Sequence, residues 1–213
     1  FNVAGGLYER PLTGENAVTI NVPANSVVRY TLDSTDPDET STLYTGPIEV
    51  ERNTVIRARA FRDGVEASQI ISQTYLISVY HTMPVICLTT DPDNLWNEEY
   101  GALADGPNID KSTSTPWFKN ATYGQKNWFP AWLEYTDENG QLQISQGVRF
   151  RIMGQYSLDM PQKSMFIKAD GQFGKSEFDY ALFDDRPYTT YKSFVLRNGG
   201  QDGLYTRVMD GLE

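Results

Sequence analysis

Residues Val55–Phe61 alternate without a break: Ile56, Ala58 and Ala60 fall on one side, and Arg57 and Arg59 on the other. A repeat of two is that of a β-strand, and it scatters the same side chains around a helix. The segment has company. Asn16–Val22 sets Val18, Ile20 and Val22 against Thr19 and Asn21, and Ser26–Leu32 reads as a further short strand. Pro23-Ala24-Asn25, Gly46-Pro47 and Asp63-Gly64 supply turns between them. No long helical pattern interrupts this part, and short strands at such spacing predict a β-sandwich over residues 1–77.

The pattern changes after Ser78. Val85–Leu88 is continuously apolar and predicts a strand buried on both faces. Thr90–Trp96 reads as a capped helix start, with Asp91 as cap and Pro92 at the first helical position. Tyr100–Gln125 is rich in Gly, Pro, Ser, Thr and Asn and predicts a long irregular loop. Trp132–Thr136 and Gln141–Ser145, joined by Asp137-Glu138-Asn139-Gly140, predict a hairpin with Trp132 in the core. Gly147–Met153 sets Val148, Phe150 and Ile152 against Arg149, Arg151 and Met153. Ser164–Ala169 and Ser193–Arg197 read as further strands, and Tyr205–Leu212 as the first turns of a helix. The fold class expected is mainly β with some α.

Several functions are excluded early. The 213 residues carry 18 Lys plus Arg against 28 Asp plus Glu, a net charge of −10. That is the wrong sign for a nucleic-acid binder, although one nucleotide needs only a few local cations. The longest apolar runs fall far short of the roughly 20 residues of a membrane helix. With one cysteine, Cys87, and one histidine, His81, neither an internal disulfide nor a Cys/His zinc site is available. The chain begins at Phe1 without a signal peptide and stops at Glu213 inside the expected helix, which reads as a piece of a longer protein.

Two resemblances add to this. Val28–Pro37, Ser41–Ile48, Thr54–Phe61 and Gln73–Ile77 occur in the order of the small sandwich domain named chitobiase/β-hexosaminidase C-terminal-like. That domain is an immunoglobulin-like fold commonly attached to secreted bacterial proteins, usually as a spacer. The chain departs from it at Ser34, where the family often has Gly. The second part resembles the CotH family, spore-coat proteins that include atypical protein kinases. The stretches are Met83–Trp96, Pro130–Tyr135, Gly147–Gly154, Pro161–Met165, Tyr180–Phe183 and Phe194–Asp202. The resemblance implies that residues 80–213 are the amino-terminal part of an α+β CotH kinase-like domain. It places the family's catalytic and metal-binding aspartates beyond Glu213, so no catalytic residue and no metal ligand is assigned here.

On this basis the cofactor-binding candidates are Lys163, Arg197, Gly154 and Ser157. Phosphoryl transfer needs a cation on the nucleotide phosphates. Lys163 is either that cation or a solvated strand-edge lysine, and Asp210 either its carboxylate partner or a surface acid. Gly154-Gln155-Tyr156-Ser157 either covers phosphates with backbone amides or is a plain turn. Arg197 either contacts a phosphate or holds a carboxylate such as Asp202. Arg149 and Arg151 form a basic strip or a solvated face paired with acids. Asp33, Asp36 and Asp38 form an acidic turn with calcium-ligand chemistry or an ordinary Asp-Pro turn. Trp117 and Trp128 flank the end of the long loop and either stack on a ligand or anchor the loop by packing. For a full-length parent the resemblance implies ATP, Mg²⁺ or Mn²⁺, a protein substrate and an extracellular or cell-surface location, with the spore coat as one such place. The alternative is a non-catalytic extracellular module for adhesion or display.

Overall fold

A computed structural model describes residues 1–112, 120–183 and 185–198. The chain is mainly β. The first part forms β1 (Gly6–Tyr8), β2 (Val27–Thr31), β3 (Thr42–Leu43), β4 (Thr54–Arg62), β5 (Val65–Glu66) and β6 (Ile71–Ile77). They make one sheet in the order β1-β6-β4-β2-β3, with β5 folded back on β4. β1 runs parallel to β6 and the other pairs are antiparallel. A second layer is thin: Leu12 pairs with Val50 and Val18 with Ile48, each as an isolated bridge. Between the layers lie Leu12, Val18, Ile48, Val50, Ile56, Tyr75 and Ile77, all buried.

Asn16–Val22 is not the strand its alternation predicts. Gly14–Asn16 forms a 3-10 turn, and only Val18 finds a partner, its amide and carbonyl both bonding Ile48. Thr19 is taken instead by the chain's start, whose Asn2 amide donates to the Thr19 carbonyl.

The second part contributes β7 (Val85–Thr89), α1 (Asp93–Trp96), α2 (Thr122–Gln125), β8 (Phe129–Thr136), β9 (Leu142–Met153), β10 (Ser164–Ala169), β11 (Phe178–Asp179), β12 (Thr190–Tyr191) and β13 (Ser193–Leu196). Five of these form an antiparallel sheet in the order β13-β10-β9-β8-β7, and β11 pairs with β12 alone. The expected alternation of β9 is present: Val148, Phe150 and Ile152 are buried on one face. Leu133, Ile144, Ile167 and Ala169 join them, roofed by Ala102, Tyr123, Leu158 and Phe178 from the connecting segments. Each such large apolar side chain contributes about 1.5–3 kcal/mol by leaving water. No helix among the described residues is long and apolar enough to cross a membrane.

Two expectations are corrected by the way this sheet packs. Val85–Leu88 is not buried on both faces, because β7 is the edge strand and Ile86 is exposed. Trp132 is not in the core. It lies on the same face as Glu134, while Ala131, Leu133 and Tyr135 fill the interior, and its indole N–H donates to Ser145 Oγ. The α-helices among the described residues are single turns. Asp91 does accept from the Asp93 amide at 2.9 Å, but α1 ends at Asn97, whose backbone (φ −58, ψ 126) has left the helical region.

The two sheets meet through faces opposite their cores. On the first, alternation aims Val55, Arg57 and Arg59 of β4 and Ser72 and Thr74 of β6 outward. On the second, Cys87, Trp132 and Glu134 face them. Arg57 is therefore buried although it opposes the first core.

Candidate functional site

Three of the four sequence candidates converge at one end of the second sheet. β9 ends at Met153, and Gly154 follows with φ +129, a backbone state that side chains rarely adopt. A Cβ there would also collide with Ser157 Oγ. The turn therefore closes tightly into the 3-10 segment Tyr156–Asp159, whose Leu158 is fully buried. Lys163, just before β10, reaches back over this segment. Its Nζ donates to the Leu158 carbonyl at 2.6 Å and the Met160 carbonyl at 3.2 Å, and sits 4.1 Å from the centre of the Tyr123 ring. Lys163 thus ties the start of β10 to α2 and to the Gly154–Ser157 turn.

Arg197 belongs to the same end but to the other face. It follows Leu196, which pairs with Met165, so the register sets Arg197 across from Ser164 and out of phase with Lys163. Asn198 locks this corner: its amide donates to Ser164 Oγ at 3.1 Å, and its Nδ2 donates to the Gln162 carbonyl at 2.6 Å. Trp117, Asp202, Asp210 and the expected helix Tyr205–Leu212 lie outside the described residues.

The acidic turn does not gather its carboxylates. Asp38 accepts from the backbone amides and hydroxyls of Thr40 and Ser41, and Asp33 accepts from Thr35. Both carboxyls are held below their usual pKa, first by the threonine hydroxyls. Asp36 turns the other way, to Arg57 NH1 at 2.6 Å. The three side chains serve local turns and one ion pair.

The most perturbed carboxylate was not singled out by sequence. Glu134 on β8 is 3% exposed and enters the interface between the sheets. Its Oε1 accepts from the Thr74 amide at 3.1 Å, across the interface, and Oε2 has no hydrogen-bond partner. Burial pushes its pKa up to about 7, against the lowering effect of hydrogen bonding from Thr74. The same burial, with Glu134 nearby, raises the Cys87 thiol to about 11, so this lone cysteine is a poor nucleophile at neutral pH. A cleft of about 300 Å³, which Glu134 does not line, opens between the two parts, with Arg57, Arg59, Gln69 and Trp132 among its walls. In sequence Glu134 is one acid in an alternating strand, and only the docking of the sheets sets it apart.

Comparison with known proteins covers the first part alone. No curated protein and no solved structure matches the chain. Residues 18–75, which span β2 to β6 of the sandwich, match the model of the Fn3-associated family.

Proposed function

We propose that the chain is part of a secreted or surface bacterial protein in which a sandwich of the Fn3-associated and chitobiase/β-hexosaminidase C-terminal-like kind precedes a CotH-like phosphotransferase domain. The observation that carries this reading is the placement of the resembling stretches. Met83–Trp96 contains β7, and Pro130–Tyr135, Gly147–Gly154, Pro161–Met165 and Phe194–Asp202 overlap β8, β9, β10 and β13, the five strands of one sheet, while Tyr180–Phe183 lies in the segment after β11. A resemblance spread over unrelated surface loops would carry far less. In this reading the full-length protein transfers phosphate from ATP, with Mg²⁺ or Mn²⁺, to a protein acceptor outside the cell. Among the described residues no three metal-ligating side chains converge, so none of them is given the metal. Lys163 and the Gly154–Ser157 turn form the corner that would face the nucleotide.

A second reading, a non-catalytic module for adhesion or display, rests on Lys163 itself. Its ammonium is engaged by two carbonyls and an aromatic ring, as a structural lysine is. One assay separates the two. The whole parent protein is incubated with terminally labelled ATP and Mg²⁺ or Mn²⁺, and label in itself or a generic acceptor is expected. No label and no ATP turnover with either metal overturns the phosphotransferase reading and favours the display module.

A further inference from the structure

The first sheet covers the outer face of the second near β7, β8 and the Gly147 part of β9. Farther across, alternation brings Arg149 and Arg151 of β9 onto one surface with Phe166 and Lys168 of β10, and Trp128 stands at the start of β8. Arg151 lies directly opposite Phe166, and Arg149 directly opposite Lys168. Both guanidiniums stack on the one indole: Arg149 is 4.9 Å and Arg151 5.1 Å from the centre of the Trp128 ring. Arg151 also lies 5.5 Å from the Phe166 ring, which meets Trp128 edge-on at 5.7 Å. Trp128 remains exposed.

This arrangement conflicts with the rest of the chain. Like charges placed directly across two strands destabilise the pair, yet Arg149 faces Lys168 in a molecule with net charge −10. Acids are plentiful, but only Asp170 approaches, its Oδ2 2.8 Å from Arg149 Nε. Among the described residues no acid pairs with Arg151 or Lys168, and Arg151 Nε is buried without an acceptor. Three cations against one carboxylate leave two positive charges unbalanced. A guanidinium held flat by aromatic rings has already lost much of its freedom, so its remaining N–H groups form a fork suited to an oxyanion. A local strain against the general charge pattern is where a binding site is expected.

We propose that this face binds a phosphate-bearing ligand, with Arg151 and Lys168 contacting the phosphate oxygens and Trp128 and Phe166 fixing the guanidinium planes. A phosphoryl dianion matches the two unbalanced charges, which a single carboxylate does not. The site is on the face opposite the phase of Lys163, and it needs no phosphoryl transfer, so it stands apart from the function proposed above.

Calorimetry with inorganic pyrophosphate on the full chain at low ionic strength tests it. Binding is expected, and Arg151→Gln and Lys168→Gln should each weaken it about tenfold or more, with unchanged circular dichroism. Arg151→Lys, which keeps the charge and loses the stacked plane, should fall between. Added salt should weaken binding by screening exposed charge. ATP is the second ligand: tighter binding than pyrophosphate supports the site with a nucleotide as source, and equal binding supports it with phosphate alone recognised. Absence of pyrophosphate binding, affinity unchanged from that of the unsubstituted chain in both glutamine variants, or succinate binding as tightly as pyrophosphate would overturn the proposal.

Discussion

Ser34 sits at φ +71, in the left-handed region where a side chain crowds its own backbone. It stands where the resembled sandwich family often has Gly, so the family's preference and the dihedral agree on what this turn requires. Its carbonyl accepts from Arg57, which fixes the strained geometry from outside. Ser34→Gly is expected to raise stability by up to about 1 kcal/mol, read as a higher urea midpoint at unchanged slope. A lower midpoint would show that Gly's extra freedom in the unfolded chain outweighs the relieved strain. Glu134 carries the opposite kind of tension. Its pKa is about 7 in the folded chain, against 4.5 for an ordinary glutamate. A raised pKa means that the folded state prefers the proton. Its contribution is fully present below about pH 4.5 and is lost as pH rises through about 7. The size is about 3 kcal/mol, at about 1.4 kcal/mol for each pH unit between the two values. Tyr8, Tyr75 and Cys87 are all shifted upward, chiefly by burial and further by the Glu134 charge, away from that window. Urea unfolding at intervals from pH 5 to 8 should show falling stability that Glu134→Gln largely flattens. An unchanged slope in the variant would assign the pH dependence elsewhere.

At the level of elements, Gly147 is the point where β9 meets the loop after β10. A Cβ there would run into the Phe173 carbonyl, and Gly174 packs back against the same residue, so two backbones touch with nothing between them. Gly147→Ala is expected to cost about 1–3 kcal/mol as overpacking, because the obstacle is main chain and cannot swing aside. Thermal denaturation checks this, and a change under about 0.5 kcal/mol, the size of an ordinary surface substitution, would show that the loop yields. The same strand shows what a sequence makes legible. The phase of Val148, Phe150 and Ile152 is local information, and a period of two states it completely. Val85–Leu88 and Trp132 depart from what their sequence predicts for a common reason: apolar content tells that a residue is covered, not which layer covers it. Val18 alone kept its pairing in Asn16–Val22 because a strand needs a partner of its own length, which the chain does not supply there. The candidate corner was half legible. Gly154 and Lys163 could be picked out by residue type and turn position. The carbonyls that Lys163 serves depend on Leu158 being buried by the loop above. The stacking of Arg149 and Arg151 on Trp128 depends on the register of β8 against β9, which shifts at Tyr135–Thr136 in a way that residue types do not reveal.

Across the whole molecule the two sheets are joined by polar contacts that each need both parts. Thr74 donates to Glu134, the Asp36 amide donates to Asp91 Oδ2 at 2.7 Å, and Gln69 Nε2 donates to the Gln172 carbonyl. Arg57 is paired with Asp36 inside this contact and carries a pKa lowered chiefly by burial. Yet the first sheet also has a core of its own, from Leu12 to Ile77, and makes every strand pair within residues 6–77. Residues 1–77 alone are therefore expected to fold, with dispersed amide signals and a β-type circular dichroism spectrum. They should melt well below the whole chain. Ser72 and Thr74 are buried only because the second sheet covers them, and Arg57, freed into water, no longer gains from the low dielectric around its pair with Asp36. Two results would contradict this. An unfolded fragment would mean that the interface, not the thin second layer at Leu12 and Val18, completes the sandwich. Equal melting temperatures would mean that the contacts centred on Glu134 add no net stability, which the uncompensated Oε2 oxygen makes more probable as the pH rises. Measuring the fragment and the whole chain at pH 5 and at pH 8 separates these effects, because only the whole chain contains Glu134 and only its melting temperature should shift with that group's titration.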